Sequence, residues 1–153
     1  NSPALDRPEL ISELASRFGK QCVVVGVDSK RVGEDLLVWK YTGSTSTITG
    51  AGYKTIDWVR KAEDLGAGEV VLNCMNSDGI RNGYDHEQLN TIREQIGIPL
   101  IASGGAGKMQ DFEEVFCKTK VDGALAASVF HKNIILISEL KTYLAKRDIP
   151  IRL

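Results

Sequence analysis

The sequence predicts an α/β fold built on parallel strands, and three observations carry that expectation. Short apolar runs alternate four times with segments of helical periodicity, after one leading helix. The runs are near-continuous Val, Ile, Leu and Ala, which suits strands covered on both faces. Two successive runs end in small residues: Ile101-Ala102-Ser103-Gly104-Gly105-Ala106-Gly107 and Gly123-Ala124-Leu125-Ala126-Ala127-Ser128-Val129-Phe130. Glycine lacks a Cβ and takes φ > 0 freely, so backbone N–H groups in such turns can approach an anion closely. Paired turns of this kind follow strands 7 and 8 of many (β/α)8 barrels, and four βα units make half of one. A glycine cluster by itself reads equally as a tight turn. An open flavodoxin-like sheet is the alternative fold, and it explains two successive phosphate-type loops less well.

Asp6-Arg7-Pro8 starts the leading helix, with Pro8 pre-setting φ at the N-terminus. Leu10, Ile11, Leu14, Ala15 and Phe18 share its inner face, and Gly19 suits the C′ position. The first strand spans residues 22–28 and ends in the carboxylate of Asp28. Residues 29–50 are an excursion. It opens with a turn at residues 31–35, continues as a strand over residues 36–41 that makes a hairpin, and runs into a mobile Ser/Thr/Gly-rich loop at residues 43–52. That loop reads as a lid over Asp28 or as a tolerated insertion.

A helix over residues 53–65 turns Ile56, Val59 and Leu65 inward, and residues 69–74 form the next strand. A polar turn at residues 75–79 follows. Asp85 and Gln88 have the spacing of a capping box before Leu89, Ile92 and Ile96. Residues 99–103 are the third strand, Asp111 and Glu114 repeat the capping spacing, and residues 123–127 are the fourth strand. A short helical turn at residues 128–131 precedes a last helix with Leu140, Tyr143 and Leu144 inward. His86 reads as helix surface and His131 as packing, neither with a partner pattern for catalysis.

The 153 residues are long enough for one domain with a core, and 25% charged residues is ordinary for a globular chain. A net charge of −1 without a basic run argues against nucleic acid and anionic membrane as partners. No apolar stretch nears the roughly 20 residues of a membrane span, and no signal peptide is visible. Cys22, Cys74 and Cys117 lack metal-type spacing, and Cys22 and Cys74 sit in apolar runs that suit reduced, buried thiols. The expected compartment is the cytoplasm, with no metal or cofactor.

Several motifs together resemble one family. They are Val25-Gly26-Val27-Asp28, residues 66–73 (GAGEVVLN), Ser77-Asp78-Gly79 with Asn82-Gly83-Tyr84-Asp85, residues 102–107 (ASGGAG) and residues 126–131 (AASVFH). In this combination and order they resemble the cyclase subunit of imidazole glycerol phosphate synthase, a (β/α)8 barrel of histidine biosynthesis. The resemblance covers essentially all of residues 1–153. It implies one half-barrel domain, the C-terminal half, from the loop after barrel strand 4 through helix 8.

That family couples ammonia from a glutaminase partner to a bis-phosphorylated aminoimidazole carboxamide ribonucleotide. It releases imidazole glycerol phosphate and aminoimidazole carboxamide ribonucleotide. The resemblance makes Asp28 the second of two catalytic aspartates, the one at the end of barrel strand 5. Without the resemblance, Asp28 reads as a loop cap. Ser103, Gly104, Gly105, Ala127 and Ser128 match one phosphate site, and Asn1 and Ser2 match part of a second. Asn73 and Asp78 match substrate contacts. Family members often carry Thr in place of Asn73, and Asp78 reads equally as a turn residue. Glu69, at the opposite strand end, matches the family's ammonia gate; its bland reading is a solvated glutamate.

The resemblance also implies that barrel strands 1–4 and the first catalytic aspartate are absent. The chain alone is then expected to be inactive. Its two open strand edges and apolar inner face call for the missing half or a second copy of the chain. The sister phosphoribosyl isomerase of the same pathway and a non-catalytic phosphate-binding half barrel remain as alternatives.

Overall fold

The computed structural model describes residues 1–152. Six strands form one sheet: β1 (Val24–Val32), β2 (Asp35–Lys40), β3 (Thr49–Lys54), β4 (Glu69–Cys74), β5 (Leu100–Ser103) and β6 (Gly123–Leu125). Their spatial order is β3-β2-β1-β4-β5-β6. Strands β1, β4, β5 and β6 run parallel, while β1–β2 and β2–β3 are antiparallel. The parallel α/β architecture is the one expected of a partial (β/α)8 barrel.

Register sorts the side chains into two faces. On one, Val25, Val27, Val70, Leu72, Leu100 and Ala102 are all buried. They pack in one cluster with Trp58, Val59 and Ala62 of α3 (Thr55–Asp64) and Leu89 and Ile92 of α4 (His86–Arg93). Phe112 and Val115 of α5 (Met109–Lys118) and Leu140 and Leu144 of α7 (Ile137–Ala145) complete that layer. The opposite face carries the rows Gly26–Val71–Ile101–Gly123 and Asp28–Asn73–Ser103–Leu125. Among the described residues no helix covers it: Val24 is 53% exposed and Leu125 44%. The expectation of strands covered on both faces is thereby corrected. Burial in β1 alternates, because helices pack on one side of the sheet only.

The excursion after β1 is more ordered than its composition suggested. β3 occupies part of the stretch expected to be a mobile loop, pairing Lys54 with Leu37 and Gly50 with Trp39. Its sequence TGAGYK gives no apolar alternation, and edge position tolerates the glycines. As a result α3 begins at Thr55, not at residue 53. The Thr55 hydroxyl meets the buried Ser29 hydroxyl at 2.7 Å, and the Tyr53 ring lies 5.2 Å from that of Trp58. Pairing of β1 with β2 runs from Asp28 to Val32, so one side of residues 24–27 has no strand neighbour among the described residues.

Smaller corrections have local causes. A short α1 (Ser2–Asp6) precedes α2 (Glu9–Phe18), and Leu14 and Phe18, expected on the inner face of that helix, are exposed. Cys22 lies in a 3-10 turn (Lys20–Cys22) ahead of β1 and is exposed, whereas Cys74 is buried. Asp85 caps α4 as expected, accepting the Gln88 N–H at 3.0 Å. Asp111 does not start its helix. It sits in the first turn and accepts the N–H groups of Gly107 and Lys108 at 2.7 and 2.9 Å. Strand β6 stops at Leu125, two residues early, and α6 (Ser128–His131) follows with His131 exposed, not packed. No helix among the described residues is long and apolar enough to cross a membrane.

Candidate functional site

Parallel strands deliver their C-terminal ends to one rim, and a cleft of about 450 Å³ opens there. Asp28 ends the inward row of β1, and Asn73 stands beside it on β4. The turn after β4 adds Asp78, and the turn after β5 adds Ser103, Gly104 and Gly105. Ala127 and Ser128 enter after β6, and Asn1 closes the side toward β2. The sequence-named residues of both turns thus face one cavity. Ser2 and Glu69 do not line it. The Ser2 hydroxyl accepts the Tyr41 N–H at 2.8 Å. Glu69 lies at the other end of β4, roughly 13 Å along the strand from Asn73 at the usual rise.

Asp28 is fixed by three donors. Its Oδ2 accepts Asn1 Nδ2 and the Thr42 hydroxyl, each at 2.7 Å, and its Oδ1 accepts Asn73 Nδ2 at 2.9 Å. Those donors come from separate segments, so the carboxylate direction depends on how the segments are tied. Asn1 Nδ2 also donates to the Trp39 carbonyl at 2.7 Å. Asp6 takes Lys40 Nζ at 2.6 Å and the Tyr41 hydroxyl. The Lys40 and Tyr41 bonds hold the Asp6 carboxyl below the usual carboxylate range. The same contact raises Lys40 and Tyr41 above their ordinary values. Residues 39–42 and the N-terminal segment form one latch beside Asp28. Thr42 lies between the strand expected over residues 36–41 and the loop expected from residue 43, and the sequence gives it no signal of its own.

The other end of the cleft is made of backbone. Gly104 has φ +88°, and a Cβ there would stand 2.9 Å from Asn73 Oδ1 and from the Cys74 carbonyl. Gly105 has φ +116°, and its Cβ would fall 2.1 Å from the Gly83 carbonyl oxygen. Both glycines are therefore required by conformation and by contact. Among the described residues, the turn and loop hydrogen bonds include none donated by the N–H groups of Gly105 and Ser128. Unpaired donors converging on a cleft are what an anion needs. The described residues contain no cluster of three or more His, Cys, Asp or Glu fit to hold a metal ion. Burial pushes the Cys74 thiol and the Tyr84 hydroxyl well up, so both stay protonated.

The family model for histidine biosynthesis proteins matches residues 1–136. The chain is 61% identical to imidazole glycerol phosphate synthase subunit HisF of Pseudoalteromonas translucida (strain TAC 125), covering 100% of this chain and 60% of that protein. It is 57% identical to the subunit HisF of Aliivibrio fischeri (strain MJ11), covering 99% of this chain and 60% of that protein. Identity to that of Vibrio cholerae serotype O1 (strain M66-2) is 55% at the same coverage. The chain thus spans 60% of the length of these curated relatives. It belongs to the histidine biosynthesis protein family.

Proposed function

We propose that these residues are the part of an imidazole glycerol phosphate synthase cyclase subunit that carries one catalytic aspartate and one complete phosphate site. The observation that supports this most is that Asp28 and both small-residue turns open on one cleft. A phosphate of the substrate rests on the N–H groups of Gly104, Gly105 and Ser128, with the Ser103 and Ser128 hydroxyls as further donors. The phosphate then positions the rest of the ribonucleotide along the rim toward Asp28. There the carboxylate takes a proton as ammonia forms its C–N bond and water leaves, and returns one to the aminoimidazole carboxamide ribonucleotide that departs as the imidazole ring closes. Asn73 and Asp78 border the path between phosphate and carboxylate.

Asn1 and Ser2 contribute to a second phosphate site, and the other aspartate comes from residues outside the 153. In this reading the chain is the C-terminal half of the barrel. Its concave face is closed by the remaining half or by a second copy, and alone it is inactive. Ammonia reaches the rim from a glutaminase subunit docked at the opposite end, where Glu69 belongs to the gate. The setting is the cytoplasm.

The test is turnover of the bis-phosphorylated ribonucleotide by the chain completed to the length of its relatives. Ammonia-dependent release of imidazole glycerol phosphate is expected. Isomerisation without ammonia would instead assign the sister isomerase, and binding with no turnover would leave a phosphate-binding module.

A further inference from the structure

Strand pairing fixes the base of the two turns at the anion end but not their tips. Strands β5 and β6 pair through Ile101–Gly123, Ala102–Ala124 and Ser103–Leu125, and the residues beyond run unpaired. One dipeptide from the loop after β4 bonds the first turn and the strand end from which the second turn departs. The Gly83 N–H donates to the Gly105 carbonyl at 2.9 Å. The Tyr84 hydroxyl donates to the Leu125 carbonyl at 3.1 Å, two residues before Ala127. Tyr84 is 5% exposed, its ring edge-on to Phe112 at 5.7 Å, and Phe112 lies 5.7 Å from Phe130 of α6. The dipeptide therefore has a packed anchor, one hydrogen bond to the first turn and one to the end of β6.

We propose that Gly83-Tyr84 is a clamp setting the gap between the two turns, and that Tyr84 is a positioning residue for the phosphate group of the substrate. This rests on reading those turns as a phosphate site. A tetrahedral oxyanion collects donors from both turns only when they stand one phosphate apart, since hydrogen bonds weaken steeply with distance and angle. Tyr84 is absent from the cleft lining, so it acts through Leu125 and not on the ligand.

The test is Tyr84→Phe in the full-length protein, which keeps the buried ring and removes one hydrogen bond. Inorganic phosphate is the binding probe, with KM and kcat read separately. The phosphate Kd and the KM should each rise about fivefold to tenfold, the worth of one hydrogen bond. The kcat should stay within about twofold and the Tm within a few degrees, because the buried ring and its packing on Phe112 are kept. An unchanged Kd overturns the clamp, as does a fall in kcat and Tm with KM constant. A parent protein that binds no phosphate overturns the reading of the turns themselves, whatever Tyr84→Phe does.

Discussion

The two ends of the cleft are held by opposite means. At Asp28, side chains from three segments far apart in sequence meet on one carboxylate, and much of the supporting latch is exposed. At the anion end, backbone meets backbone, and two glycines leave no room for a methyl group. The first kind of site can be adjusted one contact at a time, because each donor is separable. The second is set as a unit, since any added atom moves a whole turn.

The sharpest break in that contrast is Asp28→Asn. The amide keeps the shape, loses the proton-accepting charge and opposes one of the three donors. Ammonia-dependent turnover of the completed enzyme should fall about 10³-fold while circular dichroism stays native. Gly105→Ala comes next. A Cβ 2.1 Å from the Gly83 carbonyl, at φ +116°, should cost about 3 kcal/mol in denaturant unfolding and abolish phosphate binding. If this variant melts like the parent, the backbone end is not the rigid unit described. Thr42→Val removes one donor from Asp28 at almost constant volume; kcat should drop about fivefold with the phosphate Kd unchanged.

The smallest effect is electrostatic. The Asp6 carboxyl lies below its ordinary range in the folded chain. Its contribution is therefore present above the unfolded carboxylate value and is lost as pH falls through the lowered folded one. Asp6 is exposed, so the loss should be slight and weaker in high salt. Melting curves of the parent and Asp6→Asn should converge between about pH 5 and pH 2. Curves that stay parallel would show that the latch is not carried by that charge.

Much of this was legible in the sequence where residue type answers to a single constraint. Residues 69–74 read as a strand because both the apolar run and the flanking glycine and polar turn agree, and β4 has those bounds. The two small-residue turns announced a shared site because glycine there answers to backbone geometry alone. What was not legible depends on partners distant in sequence. β3 is a strand because β2 offers it an edge, although its own residues favour a loop. Cys22 looked buried by the company it keeps, yet the sheet begins two residues later. Thr42 carries no mark of its own until the hairpin folds it onto Asp28. Asp111 shows the same limit on a smaller scale: a capping residue is defined by which N–H groups reach it, and spacing alone put it one turn out of place.

The one-sided burial of β1 has a consequence for how such a chain can change over time. Val25, Val70 and Leu72, which seal the sheet to its helices, are absent from the cleft lining, whereas Asp28, Asn73 and Ser103 belong to it. Apart from Gly104 and Gly105, durability and chemistry occupy different surfaces. A lineage can therefore rewrite the rim and inherit the same chassis unaltered.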